Sequence, residues 1–428
     1  MSSQRASLSG LLCVGLAVHG CVGAPLEGGE TSASHEAVII PVTSFPGAGA
    51  LGRAFVTRAR VPDDYPTIQR AVDAVVYGGV VTVGAGVYTE SVRVRGKRVT
   101  IEGRDITATT LRAPSAGVPA VEFTLGGGGV LRGMMIEGGS VGVEGGEGFF
   151  TASPVALDRV FVQGSQRGVE GRFEALSMTS SFVTDTAGDG VHAAVARELR
   201  LSSTTVQRAG RHGVSVSALD ASSSCSVAID HLTSSDHGGF GLRVAGKACR
   251  ASIADSAFVN DAFAGVALYD AGETEIRSVQ VVGTRPSPAG LFGDGLFIWS
   301  TQTSVIDSAF DGNGRAGISI FGCDESVDLI DLRAPRHLPL NEHPASLYIR
   351  TSLMRCNPVD VDIESADATT GRSCGGRPTL DTDSPSEVPP LVGTLCAHGP
   401  QCNVDADSQL GICRAETSTM APVVAPTR

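Results

Sequence analysis

A short string recurs along the middle of the chain and limits the folds that the chain can adopt. The string is a glycine followed by an apolar residue, any residue and a second apolar residue. Its copies begin at Gly190, Gly213, Gly241, Gly265, Gly295 and Gly317, with weaker copies at Gly142 and Gly168. Successive glycines are 22 to 30 residues apart, so each interval is one irregular turn of a repeating structure.

Each interval contains strands rather than helices. A second short run lies about ten residues before most of the glycines, as in Leu157–Phe161, Ile253–Phe258 and Val305–Phe310. These runs alternate with the two-residue period of β-strands and are too short for amphipathic helices. Strands of this kind cannot pair within one turn, so their backbone groups must bond to the turns above and below. The prediction is an all-β parallel solenoid.

Glycine content and aromatic content agree with tight coils around a thin aliphatic interior. The 428 residues include 54 glycines, and only 5% of residues are aromatic. We expect the glycine of each string to occupy a tight bend with a positive φ, where a Cβ is disfavoured. The long intervals that end at Gly241 and Gly295 predict loops that bulge from the solenoid.

The open ends of a solenoid must be protected against edge pairing. Residues 65–76 predict an N-terminal capping helix, because apolar residues follow Pro66 at positions 68, 71, 72, 75 and 76 and form one helical face. The first strands are expected over residues 80–83, 91–94 and 98–102.

The first residues have the order of a secretory signal. Arg5 precedes an apolar run from Leu8 to Val18, which is too short to cross a bilayer. Residues 18–21 resemble the processing site of bacterial lipoproteins, which implies lipidation of Cys21. His19 replaces the preferred small residue, so plain secretion is the alternative. In both cases we expect an exported protein, in the bacterial cell envelope or secreted.

Export permits disulfides. Cys225 and Cys249 are 24 residues apart, close to the repeat interval, which predicts a disulfide between adjacent coils. The C-terminal region carries further cysteines without the CxxC spacing of zinc sites, so we expect a stapled tail, no metal site and no cofactor. The predicted organisation is a signal peptide with a lipobox over residues 1–21, a tether with early strands over 22–60, the solenoid over 61–365, a Cys-rich tail over 366–413 and a disordered C-terminus over 414–428.

Two parts of the chain resemble the pectin-lyase-like superfamily. Tyr65–Val72, Val80–Val83 and Gly86–Val94 resemble the opening coil of that superfamily, and the repeats from Leu157 to about Ile363 resemble its generic coils. The resemblance implies a right-handed parallel β-helix solenoid with an N-terminal capping helix. It does not define the chemistry, because this fold hosts lyases, hydrolases, esterases, epimerases, adhesins and sugar binders.

One pair of strings suggests catalysis. Residues 188–190 are Gly-Asp-Gly, and residues 211–213, one repeat later, are Arg-His-Gly, which loosely resembles polygalacturonases. Asp189 and His212 each precede a string glycine and are expected to stack. Asp185 and Asp189 are candidates for inverting hydrolysis, which needs two carboxyls about 6.5 to 9.5 Å apart, with His212 tuning the acid. The competing interpretation is turn chemistry, which also favours Asp or His before Gly.

Aromatic residues gather at positions that are expected to face outward. In each strand the second and fourth residues after the glycine point away from the core. The aromatic residues at these positions on three consecutive repeats are Tyr269, Phe297, Trp299 and Phe321. An exposed stripe of rings would bind sugars by stacking. The alternative is a satellite core, covered by the loop over residues 284–293 or by the segment after Leu332.

Charge and motifs set the functional hypotheses. The net charge is −12, without a basic cluster, which argues against a nucleic-acid partner. The leading hypothesis is a noncatalytic cell-surface module that binds polysaccharide or a cell-envelope component, touching the membrane only through a lipid anchor. The rival hypothesis is a carbohydrate-active enzyme, a glycoside hydrolase or polysaccharide lyase, at Asp189 and His212.

Overall fold

A computed structural model of the chain describes most of its middle region. The described residues are 55–146, 151–220, 223–286, 292–299, 301–321, 346–350 and 352–364, with short strands at 379–382, 403–404 and 411–415. The predicted signal peptide, including Cys21, lies outside the described residues, as does the predicted tail apart from these short strands. Among the described residues, no helix has the length and apolarity of a membrane span.

The described chain forms a right-handed parallel β-helix of about ten coils. Nearly every strand pairs in parallel with a strand of the neighbouring coil, and the interior is a continuous cluster of buried, mainly aliphatic side chains. The solenoid predicted from the repeat is therefore confirmed.

The strands have the following bounds. The first nine are β1 Val56–Val61, β2 Val75–Val83, β3 Gly86–Thr89, β4 Val92–Arg95, β5 Arg98–Gly103, β6 Thr109–Arg112, β7 Val121–Thr124, β8 Gly128–Glu137 and β9 Val141–Gly145. The next eleven are β10 Val155–Gln163, β11 Arg167–Thr179, β12 Phe182–Thr186, β13 Val191–Ser202, β14 Thr205–Ala209, β15 Val214–Ala218, β16 Cys225–Asp230, β17 Thr233–Ser235, β18 Leu242–Ala245, β19 Cys249–Ala254 and β20 Ala257–Val259. The rest are β21 Ala264–Tyr269, β22 Thr274–Arg277, β23 Gln280–Val282, β24 Asp294–Trp299, β25 Gln302–Ile306, β26 Ala309–Asp311, β27 Ala316–Phe321, β28 Ser346–Arg350, β29 Leu353–Arg355, β30 Val359–Glu364, β31 Thr379–Thr382, β32 Asn403–Val404 and β33 Gly411–Ala415.

The strands form three parallel sheets, one on each side of the coil. Sheet A contains the strands that carry or follow the string glycines, including the first parts of β11 and β13, then β15, β18, β21, β24 and β27. Sheet B contains the strands that follow sheet A along the chain, such as β16, β19 and β22. Sheet C contains the strands that precede the next glycine, such as β12, β14, β17 and β20.

The string glycines are required by close contact between coils. In the described chain none of them has a positive φ, so our expectation about their backbone was wrong. A Cβ on Gly190 would lie 2.7 Å from the carbonyl oxygen of Gly213, and a Cβ on Gly213 would lie 2.6 Å from that of Gly241. A side chain at these positions would push adjacent coils apart.

Positive φ values occur instead at the bends between sheets B and C, as at Ser203 and Asp255, and at the bend between sheets C and A. Asp185, Arg208, Asp236 and Asn260 have φ values of 56°, 52°, 61° and 57°, a region that Asn and Asp enter more readily than most residues. The bend turns the chain inward, so the next residue of each coil enters the core. We call these inward residues the turn column: Ser165, Thr186, Ala209, His237, Asp261, Thr284, Asn313 and Asn357.

Helix α1 spans Ile68–Ala74 and is shorter than predicted. Val75 and Val76 belong to β2, because the chain turns there into sheet B. Thr67 caps the helix by accepting a hydrogen bond from the backbone N–H of Arg70. The carboxylate of Glu90 accepts the N–H groups of Ile68 and Gln69 at 2.8 and 2.9 Å. The role of α1 as an end cap stays a prediction.

The predicted disulfide is confirmed. Cys225 and Cys249 are register partners on β16 and β19 of sheet B. Their sulfur atoms are bonded, and their Cα atoms lie 4.4 Å apart. The spacing of one repeat was sufficient to predict this pair, because residues one coil apart face each other in a parallel sheet.

Candidate functional site

The outer face of sheet A carries the candidate site. The second residue after each string glycine points outward, and register pairing places these residues in one column along the solenoid axis. From the N-terminal end the column reads Glu122, Glu144, Glu170, His192, Ser215, Arg243, Ala267, Phe297 and Ser319. The column is therefore polar as far as Arg243, apolar at Ala267 and Phe297, and polar again at Ser319.

Asp189 lies beside this column and is held as a carboxylate. Its side chain is 6% exposed, and Oδ1 accepts the backbone N–H of His212 at 3.0 Å. Oδ2 lies 3.4 Å from Nδ1 of His192 and 3.7 Å from a terminal nitrogen of Arg211. Burial raises the pKa of Asp189, but His192, the hydrogen bond from the backbone N–H of His212 and the charge of Arg211 outweigh burial and lower it to about 2. The carboxyl is therefore ionised at neutral pH.

His212 stacks one coil above Asp189, as the sequence predicted. Its Nδ1 accepts the backbone N–H of Phe240 at 3.1 Å, and its ring lies on the Phe240 ring with centroids 5.0 Å apart. A ring nitrogen that accepts a hydrogen bond carries no proton, so this imidazole is neutral with its proton on Nε2. His212 thus joins neighbouring coils and has no free Nδ1 lone pair for a substrate.

Asp185 lies on another part of the surface. It occupies the bend between sheets C and A, where Oδ1 and Oδ2 accept Nε and a terminal nitrogen of Arg208 at 2.7 and 3.0 Å. The hydrogen bond from Arg208 lowers the pKa of Asp185. Asp185 and Asp189 are therefore both ionised, and this pair does not provide the protonated carboxyl that inverting hydrolysis requires.

His192 is the site residue that the sequence reasoning missed. Its side chain is 43% exposed, whereas the Asp189 side chain that faces its Nδ1 is 6% exposed. A buried, ionised carboxylate 3.4 Å from the Nδ1 of a more exposed imidazole is an arrangement suited to proton transfer. His192 occupies the outward second position of its string, so the rule that located the aromatic residues would have found it.

The aromatic residues of sheet A form a covered cluster. Tyr269, Phe297 and Trp299 are 4%, 1% and 7% exposed, and they pack with Phe240. The guanidinium of Arg243 lies 5.2 Å from the centroid of the Tyr269 ring. The satellite-core interpretation therefore describes these three rings, and the exposed stripe that we considered is absent at them. The side chain of Phe321 lies outside the described part of the structure, although its backbone pairs with that of Trp299.

Among the residues that the structure describes, potential metal-ligating side chains come together at one exposed position. Ligand atoms of Asp230, His231 and Asp255 all lie within 4.8 Å of one another. Nδ1 of His231 is 2.9 Å from Oδ1 of Asp230, and the hydrogen bond that His231 donates to this carboxylate raises the pKa of His231. This ion pair accounts for their proximity without an ion.

Solved structures resemble this chain, whereas no family model and no curated protein matches it. The A-module of the mannuronan C-5 epimerase AlgE4 from Azotobacter vinelandii matches with a TM-score of 0.53 at 15% identity, over 74% of this chain and 90% of that chain. A double mutant of the periplasmic alginate epimerase AlgG matches with a TM-score of 0.51 at 11% identity, over 72% of this chain and 74% of that chain. The chain shares the parallel β-helix fold of these structures.

At these identities the likeness shows the fold alone. The right-handed parallel β-helix agrees with the fold implied by the resemblance at residues 65–94 and in the later repeats. The chemistry of this β-helix must be argued from its own side chains.

Proposed function

We propose that the protein is a carbohydrate-active enzyme that acts on a polysaccharide by proton transfer at His192. The observation that carries the proposal is the pairing of exposed His192 with the ionised carboxylate of Asp189 on the sheet A face. Both solved structures described above are named as epimerases of mannuronan or alginate, which supports a polysaccharide substrate. These observations favour the enzyme hypothesis over the noncatalytic module.

The geometry favours removal of a proton from carbon over hydrolysis. The ionised Asp189 attracts the ring proton of His192 to Nδ1, which leaves the lone pair on Nε2 to act as a base. A carbon-bound proton that a histidine can remove lies next to the carboxyl group of a uronic acid unit, because the carboxyl delocalises the charge left on carbon. Arg243 lies two coils from His192 in the same column, about 10 Å along the axis, and supplies positive charge to an acidic substrate.

Removal of this proton leaves a carbanion, which can react in two ways. The glycosidic oxygen on the neighbouring carbon leaves with the bonding electrons and takes up a proton, which is the reaction of a polysaccharide lyase. Alternatively the carbanion takes up a proton from the opposite face, which is epimerisation. Hydrolysis is not supported, because the pKa values of both Asp185 and Asp189 are lowered.

The place of the protein in the cell is part of the proposal. The Cys225–Cys249 disulfide supports export, because disulfides persist outside the reducing cytoplasm. We further propose that Cys21 carries a lipid that holds the protein at the cell envelope. Loss of incorporated fatty acid label in Cys21→Ser would support this attachment, and unchanged labelling would refute it.

The test of catalysis uses exchange at carbon. The protein is incubated with alginate and with polygalacturonate in deuterated water, and proton NMR follows the loss of the proton next to the carboxyl group, while ultraviolet absorbance follows unsaturated ends. We expect His192→Ala to reduce the rate by about 100-fold to 10,000-fold. His231→Ala removes another exposed histidine that pairs with an aspartate, Asp230, and serves as the control. Unchanged exchange in His192→Ala refutes the assignment, and binding without exchange in the unaltered protein restores the noncatalytic hypothesis.

A further inference from the structure

Two phenylalanines face outward from adjacent coils of sheet C, on a different sheet from His192. Phe161 and Phe182 are register partners on β10 and β12. Their ring centroids are 5.9 Å apart, and the ring planes meet at 76°. Phe182 is 42% exposed, in contrast to the covered rings of sheet A. The pair therefore presents an accessible aromatic surface on sheet C.

Polar side chains surround these rings. Gln163 and Gln207 occupy outward positions on the same sheet, and Thr205 follows Phe182 in its column. At the adjoining bend Asp185 and Arg208 form a two-bonded ion pair, and each side chain is 51% exposed. These groups supply several exposed donors and acceptors beside the rings.

The size and chemistry of the surface select its occupant. The apolar part consists of two rings beside Met135, far less than the roughly 800 Å² per partner that a stable protein interface buries. A pyranose has an apolar face of C–H groups and a rim of hydroxyls. It matches a ring that is flanked by amides and a guanidinium–carboxylate pair. The ion pair has no net charge, so the surface admits neutral sugars as well as acidic ones.

The spacing of the coils also matches the repeat of a polysaccharide. Successive coils are about 4.8 Å apart, which is comparable with the length of one pyranose unit in an extended polysaccharide. A polysaccharide that lies along the solenoid axis therefore meets Phe161 and Phe182 with successive units, the face of one ring and the edge of the other, because the ring planes meet at 76°.

We propose that Phe161 and Phe182, with Gln163, Gln207 and the Asp185–Arg208 pair, form a second, noncatalytic polysaccharide-binding surface on sheet C. The inference shares with the proposed function only the class of ligand. Binding on sheet C leaves the sheet A face free, so the surface retains a long polysaccharide near His192 and raises the local substrate concentration.

The test measures retention by polysaccharide. The full chain is run in native gels that contain alginate, and separately in gels that contain dextran, and the dissociation constant is taken from the retardation. We expect Phe182→Ala to weaken the binding of at least one polymer about tenfold. Val282→Ala removes an apolar side chain that is 38% exposed on the same sheet and is expected to leave retardation unchanged. Circular dichroism confirms that each variant is folded.

The outcomes separate this inference from the proposed function. Retardation that is lost in Phe182→Ala and kept in His192→Ala supports the sheet C surface, whether or not the protein shows proton exchange. Equal retardation of Phe182→Ala and the unaltered protein overturns the inference, as does an unaltered protein that neither polymer retards. Loss of exchange in His192→Ala does not bear on this surface.

Discussion

Replacing Asp261 by Asn is expected to stabilise the β-helix, by an amount that grows as the pH rises. Asp261 belongs to the turn column and is 1% exposed. Oδ1 accepts the backbone N–H of His237 at 3.3 Å, and Oδ2 has no hydrogen-bond partner among the described residues. Burial raises the pKa of Asp261 well above its ordinary 3.8. The folded protein therefore keeps a proton that the unfolded chain releases.

The direction of the pH dependence follows from this difference. Below about pH 4 the carboxyl is protonated in both states, and its contribution to stability is fully present. As the pH rises the unfolded chain gains the free energy of ionisation first, so the folded state loses relative stability up to the raised pKa. An amide does not titrate, so Asp261→Asn removes this loss.

The size of the effect can be worked from the neighbouring coils. Asn313 and Asn357 occupy the same column, and Asn357 accepts the N–H of Asn313 at 2.9 Å while donating to the carbonyl of Phe310 at 3.0 Å. In the same geometry, the side-chain amide of an Asn at position 261 would donate to the backbone carbonyl of Ser234. An unsatisfied buried polar atom costs about 1 to 3 kcal/mol, so we expect Asp261→Asn to gain about 1 to 3 kcal/mol near neutral pH.

Thermal unfolding followed by circular dichroism tests this expectation at about pH 5 and about pH 8. The gain in Tm for Asp261→Asn should be larger at the higher pH. Asn313→Asp is the reciprocal variant and should lose stability, increasingly so as the pH rises. A Tm of Asp261→Asn at or below that of the unaltered protein at both pH values, or a gain independent of pH, would refute the reasoning.

Three further predictions follow from the fold and the site. Trp299 is the single tryptophan of the chain and is 7% exposed, so its fluorescence should resist quenching by acrylamide; quenching as fast as that of free tryptophan would show an exposed ring. Gly213→Ala places a Cβ 2.4 Å from Nε2 of His237 and 2.6 Å from the carbonyl oxygen of Gly241. This variant should lower the free energy of unfolding in urea by about 1 to 3 kcal/mol. Gly117→Ala, whose Cβ would have its nearest atom 4.0 Å away, should leave the stability nearly unchanged. Asp189→Asn should lower the free energy of unfolding by roughly 2 kcal/mol near neutral pH, because the pKa of Asp189 is lowered to about 2. This contribution is present above about pH 4 and disappears as the pH falls toward 2. A loss of stability that stays unchanged down to about pH 2 would contradict the prediction.

Much of the fold was readable from the repeat. A coil of about 24 residues with short alternating strands leaves parallel stacking as the way to satisfy backbone hydrogen bonds. The same period predicted that Cys225 faces Cys249 and that His212 lies above Asp189. Each of these predictions depends only on residues one coil apart being neighbours.

Other features were misread because they depend on what lies above, below or over a residue. The string glycines suggested a positive φ, yet contact with the carbonyl of the next coil is what excludes a side chain. Asp185 and Asp189 are four residues apart along the chain, but the bend between sheets C and A places them on different parts of the surface. The alternation of strands showed that Trp299 points away from the core, but not that it is covered.

By itself the sequence determined a disulfide-linked parallel β-solenoid and the residues that point outward from sheet A, because these follow from local periodicity and backbone hydrogen bonding. Only the tertiary structure decided that Asp189 faces His192, that His212 uses its Nδ1 to bond the next coil, and that the aromatic rings are buried while Phe182 is exposed. Hydrogen-bond partners and solvent exposure are set by contacts between distant parts of the chain, and a repeat pattern carries no information about them.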